Sequence, residues 1–206
     1  LVEAAHAMGR KVAAHAHGKI GMEAALRAGV DSIEHGSFLD AETADLFVAT
    51  GAYLVPTLIA GHTVERIATE QPDFYVPEVR QKAIEVGPIM KTALRTAYEK
   101  GVKIAFGTDA GVNDHGTNAY EAVLMNEAGM PERAILISAT INAAELIGIT
   151  DITGTIEVGK DADIIAVGGN PLEDISTLLQ PSYVMVRGNE VDLDVPPVNL
   201  FPWPDI

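Results

Sequence analysis

Three short stretches combine side chains that are able to bind a metal and move protons. KVAAHAHG (11–18) closes an apolar run with His15 and His17, SIEHG (32–36) carries His35, and IAFGTDAG (104–111) carries Asp109. Neutral imidazoles with a carboxylate suit zinc and other divalent transition metals, and a ligand set that leaves one coordination position open makes a hydrolytic centre. The spacing is not that of a zinc finger. It supplies one ligand per strand-like segment, and such ligands converge only where the segments end at a common mouth. A single histidine at a strand end is usually a structural hydrogen-bonder. That reading suits His6, on a helix, and His62, expected in a loop. The joint placement of His15, His35 and Asp109 favours a metal site with these three as ligands.

The elements that position these residues alternate. Apolar runs at 12–16, 32–34, 52–58 and 103–106 read as strands, and helical periodicity covers 21–28, 41–50, 77–100, 117–128 and 131–147. Asp40 is placed to cap the 41–50 helix and Gly51 to stop it. Nearly continuous apolar strands alternating with helices indicate a parallel sheet with helices packed on it. Each strand ends in polar residues: His15 and His17, His35, Thr57, then Thr108 and Asp109. In a (β/α)₈ barrel that end builds the active site. An open doubly wound sheet would more often bring a glycine-rich phosphate loop, and none is present, so a barrel is preferred.

After about residue 150 the pattern becomes short runs, 155–158, 163–167 and 183–187, separated by Gly, Asp and Pro. The expected organisation is barrel sequence over 1–151, a small β-rich module over 152–194, and a proline-rich tail over 195–206. The opening LVEAAHAMGRK has helical spacing without a preceding cap, as though the chain began inside a helix.

The 206 residues carry a net charge of −15 and no cysteine, with hydrophobic content of 48%. This excludes disulfides, thiolate metal sites and a cysteine nucleophile, and it disfavours a nucleic-acid partner, whose phosphates would be repelled. No apolar run approaches the roughly 20 residues of a membrane span. A soluble, cytoplasmic protein is expected, with any signal region lying outside this chain.

The stretches HAHG, SIEHGSFLD, LVPTL, IAFGTDAG, HGTNAYE, GMPERAILISATINAAELIG and GTIEVGKDADIIAVGGNPLEDI, in that order, resemble the second half of the amidohydrolase superfamily. The resemblance is closest to the branch of imidazolonepropionase-like enzymes, Xaa-Pro and basic-residue dipeptidases, and ochratoxin-hydrolysing amidases. It implies an α/β fold, the second half (strands 5–8) of a (β/α)₈ TIM-like barrel plus a small C-terminal β-sandwich module. It also implies a divalent metal cofactor, zinc, with one or two ions per complete site. His15 and His35 correspond to the ligands on barrel strands 5 and 6, and Asp109 to the ligand on strand 8 and the catalytic acid/base. His17 corresponds to a substrate-facing position, although HAH also mimics the HxH of strand 1. His115 and Asn118 are candidates to line the substrate pocket, with loop capping as the alternative.

The strand 1 HxH and the strand 4 lysine of the family have no counterpart here. The resemblance therefore implies a partner segment, the N-terminal half of the barrel, on the same or a separate chain, and a homo-oligomer is expected. His17 and Gly18 stand where deaminating members carry a glutamate. Hydrolysis of an amide or peptide-type C–N bond in a small substrate, such as a dipeptide or N-acyl amino acid, is thus favoured. The alternatives are a cyclic-amide hydrolase and a non-catalytic subunit of the same fold.

Overall fold

The computed structural model describes residues 1–194; the expected proline-rich tail lies outside the described residues. Helix α1 (Val2–Ala7) leads into strand β1 (Ala13–Ala16). Helix α2 (Lys19–Arg27), strand β2 (Ser32–His35), helix α3 (Ala41–Thr50) and strand β3 (Tyr53–Val55) follow. Two helices, α4 (Leu58–Glu70) and α5 (Pro77–Glu99), then precede strand β4 (Lys103–Ile104). The four strands form one parallel sheet in the order β1-β2-β3-β4. Parallel neighbours need a crossover between them, and α2, α3 and the α4–α5 pair occupy those positions.

Local chemistry explains the boundaries. Asp40 caps α3, its carboxylate accepting from the Thr43 amide at 2.9 Å, and Gly51 ends the helix at φ 73°. The expected strand over 52–58 is only Tyr53–Val55, and the apolar residues after Pro56 open α4 instead. The run LVPTLIA is apolar throughout and so has no period to distinguish strand from buried helix. The strand expected over 103–106 is likewise shorter, and the helix expected from 117 starts at Tyr120. His62 lies within α4, not in a loop.

Register sorts the sheet's two faces. Ala14, Ile33, Leu54 and Ile104 pair across the four strands, and Ile33, Leu54 and Ile104 enter the main core with Met22, Leu26, Phe47 and Leu94. The alternate row runs His15, Glu34, Val55, and Val55 packs with Tyr53 and Ala105 in a separate small cluster. The helix-covered face therefore carries the main core and the other face carries the histidine row.

After β4 come helices α6 (Tyr120–Glu127), α7 (Glu132–Ile137) and α8 (Ala143–Ile147), with a π-helical turn at Ser138–Asn142 joining the last two. That turn meets the outer edge of β4. The Phe106 amide donates to the Ser138 carbonyl at 3.0 Å, and Asn142 Nδ2 donates to the Ile104 carbonyl at 2.8 Å.

Strands β5 (Ile164–Val167), β6 (Pro181–Val186) and β7 (Asn189–Glu190) form an antiparallel sheet in sequence order. Among the described residues this is one layer, where a β-sandwich was expected. Residues 155–158 are not a strand; Ile156 and Val158 stand in solvent without a pairing neighbour. A 3-10 helix (Ile175–Leu179) nevertheless ties this region to the rest: Ile175 is buried in the main core, with Leu178 packed against it.

Ile175→Ala should therefore destabilise the sheet-and-helix core, by about 2–4 kcal/mol for a fully buried isoleucine. Chemical denaturation should show a lower midpoint with an unchanged slope. An effect within about 0.5 kcal/mol would mean that the 3-10 helix does not share the core.

Candidate metal centre

The C-terminal ends of the parallel strands gather the predicted ligands. His15 lies within β1, His35 ends β2, and His17 follows β1 directly. The ring centroids of His15 and His35 are 4.5 Å apart, and each lies 4.8 Å from that of His17. His35 Nε2 stands 2.9 Å from His15 Nδ1. One ligand atom from each of the three rings can be chosen so that all lie within 4.8 Å of one another.

His35 reaches this position through its backbone. Its strand partner is Ala16, in the row that faces the helices, so regular alternation would turn its ring away from His15. Its φ of 74° instead places it in the left-handed region, and the ring meets His15. Thr57 and Asp109 share this conformation at φ 48° and 51°. These are three of the four non-glycine residues with positive φ among the described residues; His35 ends its sheet strand, and Thr57 and Asp109 come after the ends of theirs. Backbone conformations of this kind cost about 1–3 kcal/mol each and concentrate at functional sites.

Two of the three rings are held by a hydroxyl. Thr57 Oγ1 lies 2.7 Å from His35 Nδ1, and Ser37 Oγ lies 2.7 Å from His17 Nδ1. Thr57 and Ser37 are both buried. Burial lowers the pKa of His35 to about 4, with the neighbouring His17 and His15 adding to the effect and Asp109 opposing it. Burial, His15 and Lys82 lower the pKa of His17 as well. Both rings are thus neutral near pH 7, as ligation requires.

Asp109 lines the same two clefts as His15 and His35. It is not within the tight three-histidine group. In the second of these clefts, with Thr57 and Thr108, sits Glu34. Its pKa is raised by burial and by the charge of Asp109, against a hydrogen bond from Ser32. The donor set fits a divalent ion: three imidazoles with a nearby carboxylate, spread slightly wider than one ion with bonds near ~2.0–2.1 Å would span.

His115 and Asn118, expected in the substrate pocket, do not line these clefts. His115 is exposed. Asn118 braces its own loop, its Oδ1 accepting from the Gly116 amide at 3.3 Å and its Nδ2 donating to Thr108 Oγ1 at 2.7 Å. Sequence reasoning gave no role to Ser37, Thr57, Glu34 or Glu121. Glu121 stands in the same HGTNAYE stretch as His115 and Asn118, but nothing in a sequence marks a carboxylate that will be buried.

Two clefts extend from this region, the first of them one of those that Asp109 lines. One, of ≈ 260 Å³, runs from the three rings to an apolar wall on α4 and α5 that includes Ala60, Val64, Ala83, Val86 and Met90. The other, of ≈ 410 Å³, meets the first at Val112 and is lined by His62, Arg66, Asp114 and Tyr120 among others.

The model of the Amidohydrolase family matches residues 1–191. The chain belongs to the amidohydrolase family. Ochratoxinase of Aspergillus niger is 34% identical over 186 residues, covering 89% of this chain and 38% of that protein. The crystal structure of a Xaa-Pro dipeptidase with bound methionine in the active site superposes with a TM-score of 0.88 at 51% identity, over 93% of this chain and 47% of that one. A prolidase complexed with N-methylphosphonate-L-proline gives 0.82 at 33% identity, over 92% of this chain and 47% of that one. This amidohydrolase chain thus spans less than half the length of each of these relatives.

The lowered pKa of His35 sets a pH dependence for the metal-free protein. Its folded-state pKa, about 4, lies below the unfolded value of 6.5, so between them the unfolded chain binds more protons. The stability contributed by neutral His35 is fully present above about pH 6.5 and is lost as pH falls toward 4. Urea midpoints measured across pH 4–7 should fall with acid, and His35→Gln should flatten that part of the slope. An unchanged slope in the variant would assign it to other groups.

Proposed function

We propose that this chain supplies the acid/base and part of the metal site of a metal-dependent amidohydrolase. The reaction is hydrolysis of an amide or peptide-type C–N bond in a small substrate, a dipeptide or N-acyl amino acid. The observation that carries the reading is the convergence of His15, His17, His35 and Asp109 on shared clefts at one end of a parallel sheet. Family membership and the dipeptidase and ochratoxinase relatives support it.

His15 and His35 are the proposed imidazole ligands, with Asp109 as the carboxylate from the fourth strand's end; zinc suits this nitrogen and oxygen set. Further ligands come, in this reading, from the N-terminal half of the barrel, outside the present residues. When bound, the ion supplies Lewis acidity, polarising the scissile carbonyl and acidifying water.

Asp109 accepts a proton from the attacking water as the C–O bond forms. It then returns that proton to the nitrogen as the C–N bond breaks, so that carboxylic acid and amine leave as products. His17, steadied by Ser37, presents its free Nε2 to the carbonyl oxygen or carboxylate of the substrate. The apolar cleft receives a hydrophobic side chain of the substrate, beside the histidines and walled by Val64, Ala83, Val86 and Met90. Backbone and side-chain polar groups are nearly absent from that wall, so a charged side chain would lose its hydration there without compensation.

Two measurements test this reading. Chelation should abolish turnover of N-acyl amino acids or dipeptides, and added zinc should restore it; full activity after verified metal removal would sink the metal mechanism. Asp109→Asn in the protein carrying this chain should lower kcat by about 10²–10⁴, the range of a lost general acid/base, while KM changes only a few-fold. If kcat stays within a few-fold of wild type, the proton carrier is another group, and Glu34 is the next candidate by position.

A further inference from the structure

Glu121 is the most deeply buried carboxylate among the described residues, with 0% of its surface exposed. Among the described residues it has no cationic partner. Its Oε1 accepts from the Leu58 amide at 2.9 Å and its Oε2 from the Ile59 amide at 2.6 Å. These are the first two residues of α4, whose amides have no partner within the helix itself.

Helices ordinarily solve that problem locally, with a Ser, Thr, Asp or Asn at the position before the first turn. Thr57 holds that position here, yet its side chain makes no capping bond. Its hydroxyl is committed to His35 Nδ1 at 2.7 Å. The cap comes instead from a residue more than 60 positions later in the chain.

A second bond leaves the same stretch. Asn118, whose carbonyl accepts from the Glu121 amide at 3.1 Å, donates its Nδ2 to Thr108 Oγ1 at 2.7 Å. Thr108 is buried and immediately precedes Asp109.

We propose that residues 118–121 form a two-point brace for the metal centre, Glu121 setting the ring of His35 through Thr57, and Asn118 setting Asp109 through Thr108. By capping α4 from outside, Glu121 frees the Thr57 hydroxyl for His35 and pins the two amides that follow Thr57's left-handed backbone. With Nδ1–H of His35 donated to Thr57, its Nε2 keeps the lone pair that faces His15. Glu121, Asn118 and Thr57 are positioning residues, acting through His35 and Asp109. The inference rests on the metal-site reading for its purpose, but its geometry is testable without metal.

The test uses Glu121→Gln, Thr57→Val and their combination in the protein that carries this chain. Gln keeps one acceptor and loses the other, and Val removes the hydroxyl at nearly constant volume. Long-range ¹H–¹⁵N spectra of the histidine rings in metal-free protein should show wild-type His35 as a single tautomer protonated at Nδ1. Both variants should show mixed tautomers at His35. Zinc affinity, read by competition with a chromophoric chelator, should fall by about 10–100-fold in each, the usual effect of removing a group that orients a ligand. The double variant should lie within about threefold of the weaker single, because both changes break one path.

A Glu121→Gln protein with unchanged His35 tautomer and zinc affinity, or a double variant whose losses multiply, would overturn the Glu121 arm. Wild-type protein that binds no zinc would defeat the metal reading, while the ring spectra would still decide the brace. Should Glu121→Gln fail to fold, Thr57→Val and Asn118→Ala keep the proposal open to refutation. Asn118→Ala must lower zinc affinity through Asp109 without moving the His35 tautomer; a shifted tautomer or unchanged affinity would overturn the Asn118 arm.

Discussion

The site depends on parallel strand register and on one departure from it. In a parallel sheet every strand ends on the same side, so residues far apart in sequence become neighbours without any local motif. Register alone brings His15 level with Glu34 and Val55. His35, paired with Ala16, belongs to the opposite face, and its positive φ returns its ring to the histidine row. Were His35 in extended backbone, its ring would face the main core rather than His15. The 2.9 Å approach of the two rings is therefore a consequence of strain held by the surrounding fold.

That strain requires rigid support, and the packing provides it on one side of the sheet. Ile33 and Leu54, two positions before His35 and three before Thr57, are at most 1% exposed in the main core. Gly36, directly after His35, faces the Leu54 side chain so closely that an added Cβ would lie 2.6 Å from Leu54 Cδ1. With φ 61° at Gly36 as well, the turn out of β2 is fixed both by backbone preference and by lack of space. The crowding of three imidazoles adds to burial: His15 disfavours protonation of His17, and His17 and His15 that of His35, so these two rings remain neutral although the chain as a whole is strongly acidic.

Much of this arrangement was legible in the sequence, for a definite reason. Short apolar runs ending in His15, His35 and Asp109 specify where side chains emerge once the strands are parallel, and the α3 boundaries followed from Asp40 and Gly51. What the sequence did not disclose is of two kinds. Left-handed backbone at His35, Thr57 and Asp109 leaves no mark, because none of these positions is glycine. The second kind is action at a distance. Glu121 caps a helix that starts more than 60 residues earlier, and Asn118 turns to Thr108 rather than into a pocket. The start of α4 was concealed by its apolar opening, and the β-branched run at 155–158 promised a strand that has no neighbour with which to pair. Local pattern reports local preference; these features arise from tertiary contacts.

The two edges of the parallel sheet are chemically unequal, and the π-helical turn is the reason. A π-turn fits one extra residue into a helix and shifts the side chains and carbonyls that follow. Here it brings Ser138 and Asn142 to β4, where they occupy the Phe106 amide and the Ile104 carbonyl. Unpaired main-chain groups at a sheet edge recruit further strands, and at β4 those two groups are already satisfied from within the chain. β1 pairs only with β2 among the described strands. Its other side, next to His15 and His17, keeps the main-chain groups that a neighbouring strand would need. A strand added at β1 would enter directly beside the exposed imidazoles, whereas at β4 the π-helical turn already holds two of the edge groups, a few residues before Asp109.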